Sequence, residues 1–182
     1  MSKRKSLVYL TGFMGSGKST IGPILANVLG YDFIDLDKHI EEREQRTVSD
    51  IFAENGEGYF RELEKTVIEE LKQKSSTVIS LGGGTITKIE NLETIKSTGV
   101  LVYLKSSPQQ IFRRMRYRLD RPLLRHPDGR PLSDRELMSK IQSTLALREV
   151  FYKQADVVVS TDGKKVGITV DEIARKLRRL VE

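Results

Sequence analysis

An apolar run, Leu7-Val8-Tyr9-Leu10, stops at a turn crowded with glycine. Gly12-Phe13-Met14-Gly15-Ser16-Gly17-Lys18-Ser19-Thr20 follows, and a helical pattern begins at once and ends at Gly30. Glycine fills strands and helices poorly, so Gly12, Gly15 and Gly17 must serve backbone geometry. A buried strand, a tight loop and a helix in immediate succession are the opening of a crossover unit, which belongs to a parallel sheet. Gly22-Pro23 falls inside the helical run, where proline removes a hydrogen bond. A kink or a frayed ladder is expected there.

The rest of the chain repeats the alternation. Short apolar runs at 6–10, 31–35, 77–81, 100–104 and 156–160 read as five buried strands. Helical spacing joins Phe60, Leu63, Val67, Ile68 and Leu71. Ser107-Pro108 reads as a cap with a first-turn proline. Ser133 with Glu136 forms a capping box before Leu137, Ile141 and Leu145, and Thr169 with Glu172 repeats the pattern before Ile173 and Leu177. The expected fold is α/β: a three-layer αβα arrangement with a five-stranded parallel sheet, with 1–182 as one domain. The stretch 119–133, rich in proline, reads as a mobile loop.

The glycine turn matches G-x-x-x-x-G-K-[ST] in its required context. Inward-turned N–H groups at a helix start collect phosphate oxygens. Lys18 reaches the outer phosphates, and the Ser19 hydroxyl is a hard ligand for Mg²⁺. A nucleotide triphosphate is the expected ligand. No N-K-x-D base-reading motif is present, which argues against a GTPase. The run Val78-Ile79-Ser80-Leu81 ends in Gly82-Gly83-Gly84 rather than in a carboxylate, which argues against a motor or oligomeric ATPase.

Composition excludes other classes. The chain has no cysteine, hence no disulfide, thiolate metal site or cysteine nucleophile. No apolar run is long enough to span a membrane, and the run after the basic N-terminus is too short for a signal peptide. A cytoplasmic location and no membrane partner are expected. The net charge is +6, and eight arginines (113, 114, 116, 118, 121, 125, 130 and 135) cluster within a short stretch. Most read as a solvated helix face and loop. Tyr117 alone interleaves an aromatic among them, which argues against nucleic acid as a partner.

Asp35 and Asp37 close the second run. Two apart, they share one face of a strand, at the strand end where open parallel sheets bind ligands. One suits a hydrated Mg²⁺ and the other a reacting hydroxyl. Helix capping by Asp37 is the plain alternative. Arg61 sits in the first turn of a helix with Glu64 three residues on. It pairs with Glu64 or Glu57, or is fixed by Glu64 to receive a substrate carboxylate. The triple glycine permits close approach of a ligand to backbone.

The phosphate loop, D-x-D at 35–37, G-Y-F-R-E-L-E at 58–64, the triple glycine and R-P-L-L at 121–124 occur in this order. Together they resemble shikimate kinases over about residues 5 to 181. The resemblance implies a P-loop fold like that of nucleoside-monophosphate kinases and transfer of the ATP γ-phosphoryl to the 3-hydroxyl of shikimate, in aromatic amino acid biosynthesis. It implies that Gly15, Ser16, Gly17, Lys18, Ser19 and Thr20 hold the nucleotide with Arg114 and Arg121. Arg114 stacks on adenine, and Arg121 belongs to a lid near 114–133. It also implies that Asp37, Arg61, Gly83 and Arg148 bind shikimate in a subregion near 37–64, that Ser19 and Asp35 place Mg²⁺, and that Lys18, Asp37 and Arg121 carry catalysis. Arg148-Glu149-Val150-Phe151-Tyr152 keeps the family's arginine and tyrosine but lacks its proline. A monomer acting on two small molecules is expected. A gluconate-type kinase and a non-catalytic nucleotide-binding module are the competing readings.

Overall fold

Alternating side chains of β1 (Leu7–Thr11) point into two separate cores, and this sets the architecture. Leu7 and Tyr9 join Ile79, Leu101 and Tyr103 on one face of a sheet. Val8 and Leu10 join Val78, Val100, Val102 and Leu104 on the other. The computed structural model describes residues 6–117, 126 and 130–181. Among these, β1 is central in a parallel sheet with β2 (Asp32–Asp35), β3 (Thr77–Ser80), β4 (Gly99–Lys105) and β5 (Val157–Ser160), in the order β2-β3-β1-β4-β5. Leu7 lies level with both Thr77 and Gly99, so the central strand is paired on both edges and its residues are buried.

Helices cover both faces. α1 (Lys18–Leu29) and α7 (Val166–Leu177) pack Ile21, Leu25, Val170, Ile173 and Leu177 on the Val8 side. α2 (Leu36–Glu44), α3 (Val48–Leu71), α4 (Ile89–Thr98), α5 (Pro108–Met115) and α6 (Asp134–Tyr152) cover the Tyr9 side. This is the expected three-layer fold. Among the described residues no helix is long and apolar enough to cross a membrane.

Local signals explain most boundaries. Gly30 ends α1 in the left-handed region at φ 69°. The Ser107 cap with its first-turn proline and the Ser133–Glu136 capping box are both present. Three expectations need correction. α7 starts at Val166 after Lys165, which makes no side-chain cap. Thr169 lies inside the helix, its hydroxyl donating to the Lys165 carbonyl, and Glu172 pairs with Lys164 and Lys176. α1 continues through Pro23. Gly22 is there for packing, since a Cβ would lie 2.3 Å from Phe33 Cε2. α3 is two helical segments joined at Gly56, whose φ of 80° and ψ of 172° no helix accommodates. Arg61 therefore sits in the second turn after that break rather than in a first turn.

Candidate active site

The strands all run one way, so their C-terminal ends share a rim, and a cavity of about 620 Å³ opens there. Gly15 through Ile21 form one end. Asp35, Asp37, Arg61, Glu64, Gly82, Gly83, Gly84 and Arg148 form the other.

The phosphate-loop end is built from main chain. Gly17 caps α1 at φ 104°, and Gly15 has φ 77° with Met115 packed against it. Both conformations are open to glycine and strained for other residues. The helix start is thereby turned toward the cavity. The Ser16 hydroxyl is buried and has no hydrogen-bond partner among the described residues, as a donor kept for a ligand oxygen would be. Lys18 Nζ donates to the carbonyls of Gly12 at 2.7 Å and Phe13 at 3.1 Å, which stores the ammonium against the loop. Ser19 and Thr20 line the same end.

Arg114, in the last turn of α5, donates from Nη1 to the Gly15 carbonyl at 2.8 Å. The start of α5 is pinned by Asp162, which accepts from Ser106 Oγ at 2.8 Å and from Ser107 N at 3.0 Å. Burial works against the Asp162 charge, but the bonds from Ser107 and Ser106 outweigh it and hold its pKa low. Thr161, Lys164 and Val166 also line this end of the cavity. They follow β5, in a stretch where the sequence offered no contact residue. Arg121 and most of the expected lid lie outside the described residues.

Charged side chains make the second end. Asp35 and Asp37 do not share a strand face, because β2 ends at Asp35. Asp35 is the N-cap of α2, accepting from Lys38 N at 3.2 Å, and Asp37 lies in the helix's first turn. Capping thus falls to Asp35 instead of Asp37. Both still line the cavity. Glycine at 82 is what lets carboxylates converge here: a Cβ would lie 3.0 Å from Asp37 Oδ1, Glu64 Oε1 and Thr85 Oγ1.

Arg61 makes both of the pairings its sequence allows and still faces the cavity. Nη1 meets Glu64 Oε2 at 2.5 Å, while Nε and Nη2 meet Glu57 Oε1 at 3.1 and 2.8 Å. Burial disfavours the guanidinium charge, but Glu64 and then Glu57 more than offset that and raise its pKa. Glu64 is fully buried and accepts from Thr85 Oγ1 through its other oxygen, and Asn91 Nδ2 in turn donates to the Thr85 carbonyl. A Cβ on Gly84 would strike Arg61 Nη2 at 2.6 Å, and one on Gly83 would sit 3.1 Å from Arg148 Nη1. The triple glycine therefore makes room for protein side chains. Arg148 also lies over the Phe13 ring, 5.9 Å from its centroid, so it touches the phosphate loop as well. Val48, Phe52 and Phe60 add an apolar wall. Behind the glycines, Thr85 had no sequence signal of its own, and Tyr152 is the tyrosine that the segment from Arg148 keeps from the family.

A nucleotide-type loop and an arginine-lined pocket in one space suit a kinase for an acidic small molecule. Comparison with known proteins agrees. The shikimate kinase family model matches residues 14–180. A shikimate kinase of Chlorobaculum tepidum is 49% identical over 177 residues, covering 97% of this chain and 93% of that one. The crystal structure of shikimate kinase from Bacteroides thetaiotaomicron superposes with a TM-score of 0.86 at 37% identity, covering 94% of this chain and 98% of that one. Shikimate kinase from Acinetobacter baumannii in complex with shikimate gives 0.86 at 31% identity, covering 96% and 94%. With a matching family model spanning nearly the whole fold, and relatives this similar over almost their full length, this chain belongs to the shikimate kinase family.

Proposed function

We propose that the protein transfers the γ-phosphoryl of ATP to the 3-hydroxyl of shikimate. One observation carries the reading: Arg61, Arg148 and Asp37 meet at the triple glycine in the same cavity as the phosphate loop. A guanidinium fork recognises a carboxylate in a way that neutral sugars do not satisfy. Glu64 and Glu57 hold Arg61 in place before substrate arrives, which lowers the entropy lost on binding. Asp37 orients the attacking hydroxyl and accepts its proton.

Lys18 leaves the carbonyls of Gly12 and Phe13 for the outer phosphates when nucleotide enters. Arg114 serves the nucleotide, and Arg121 closes over the phosphates. Ser19 and Asp35 suit Mg²⁺. Both are hard oxygen donors lining the cavity, and only Oδ1 of Asp35 makes the cap. Among the described residues no cluster of three or more acidic, His or Cys side chains forms a metal cage. That fits an ion held by one or two protein oxygens, water and phosphates. Bound there, the ion would neutralise phosphate charge. The same reading makes the protein a cytoplasmic monomer working on two small molecules.

A coupled assay of ADP release, with Mg²⁺ and ATP and either shikimate or gluconate, tests the proposal. Turnover with shikimate alone is expected. Asp37→Asn should lower kcat about a hundredfold with nucleotide affinity nearly intact. Turnover on gluconate in preference to shikimate would replace this reading with the gluconate-type kinase.

A further inference from the structure

Tyr152 closes α6 and is fully buried. It does not line the cavity, yet its one polar atom is spent on two residues that do. The hydroxyl donates to the Gly83 carbonyl at 2.5 Å, and it lies at Gly83 beside the Arg148 guanidinium, one helical turn earlier, whose charge acts on it. The ring stacks on Tyr103 of β4, centroids 4.9 Å apart and planes 30° from parallel. A stacked, buried ring has little freedom, so the hydroxyl stands at a fixed depth.

Three consequences follow from ordinary geometry. The planar trans peptide after Gly83 is locked with its carbonyl toward Tyr152, which turns the Gly84 N–H the opposite way. The same oxygen lies beside the Arg148 guanidinium, whose Nη1 also packs against Gly83. The phenol also stays a donor at any assay pH, since burial, only partly opposed by Arg148, pushes its pKa up to about 12.

We propose that Tyr152 is a positioning residue for the acid-recognition end: its hydroxyl holds the Gly83–Gly84 peptide and the Arg148 guanidinium together in one arrangement ready for a carboxylate. The inference rests on the proposed function, because the carboxylate is shikimate's.

Steady-state kinetics on wild type, Tyr152→Phe and Tyr103→Phe test it, varying shikimate at saturating ATP and then the reverse. Tyr152→Phe keeps the stack and removes the hydroxyl. It should raise KM for shikimate about tenfold while KM for ATP and kcat stay within about twofold. Tyr103→Phe removes from the same ring pair a hydroxyl that makes no hydrogen bond to Gly83, and should move neither KM. Combined with Arg148→Lys, the Tyr152→Phe effect should shrink, because both act on one contact.

An unchanged KM for shikimate in Tyr152→Phe overturns the inference. So does a rise in both KM values with a fall in kcat, which marks general loosening. Should Tyr152→Phe not fold, trifluorotyrosine at position 152 keeps the ring and the hydroxyl but ionises at lower pH. KM for shikimate must then rise with pH where wild type stays flat, and a flat profile overturns the inference. If wild type itself leaves shikimate unphosphorylated, the proposed function fails first and this falls with it. If wild type turns over and Tyr152→Phe matches it, only the inference fails.

Discussion

The two ends of the cavity are made by opposite means. At the phosphate end a contiguous stretch, Met14 to Ile21, lines the cavity, and its backbone conformation sets where the Ser16, Lys18 and Ser19 side chains stand. The conformations of Gly15 and Gly17 are local properties of the chain. At the other end the residues come from four separate places in the chain: Asp37 from α2, Arg61 and Glu64 from α3, the glycines after β3, Arg148 from α6. Their arrangement depends on buried ion pairs and hydrogen bonds that reach across 21 residues between Glu64 and Thr85, or 69 between Gly83 and Tyr152. A backbone cradle accepts any ligand with a phosphate tail. A set of charged side chains held by other charges chooses among acids. Generality and selectivity are thus divided between local and long-range structure.

Breaking the phosphate end should have the largest effect. Lys18→Ala is expected to reduce kcat about 100- to 1,000-fold, by loss of charge stabilisation at the migrating group. Calorimetric affinity for shikimate alone should persist, and its loss would show that the two ends are not separable. Next comes Arg61→Ala, which should weaken shikimate by ~2–4 kcal/mol, as expected when one partner of a buried charge pair is truncated. Titration should show ATP affinity little changed. A thermal melt should show lower stability, since Glu64 is left buried without its guanidinium. The mildest change is Gly84→Ala. Its φ of −106° suits alanine, so the backbone is not strained. The new methyl shifts a guanidinium tip held by Glu57 and Glu64, and a loss of about 1 kcal/mol in shikimate affinity, with a melting temperature lowered less than in Arg61→Ala, is expected. An equal loss in ATP affinity would erase the contrast between the ends.

The same contrast decides what could be read from the sequence. The five strands lie within a residue of the apolar runs, and in β1, β3 and β4 both-face burial leaves a near-continuous buried signal. Gly30 and Ser133 marked helix ends through chemistry confined to one turn. Thr169 and Glu172 carried the same letters as a capping box, yet α7 was already under way at Val166 and both side chains serve other partners. Asp35 and Asp37 were placed on one face by assuming that β2 continued. The helix started two residues sooner, and Asp35 became its cap. The break at Gly56 was signalled only by Asn55-Gly56 inside a helical stretch. Thr85 was silent and Tyr152 legible only as a matching letter after Arg148, because their significance lies in what they touch, and those contacts exist only after the sheet has brought distant loops to one rim.

Among the described residues the two ends open into a single space. A molecule joining a cyclic hydroxy acid to an adenosine polyphosphate by a short tether would occupy both at once. Once its first half was seated, the second would meet its recognition groups at an effective concentration in the millimolar range or above. Such a bisubstrate inhibitor would gain avidity from connectivity alone, and its best tether length would serve as a ruler for the distance the phosphoryl group travels.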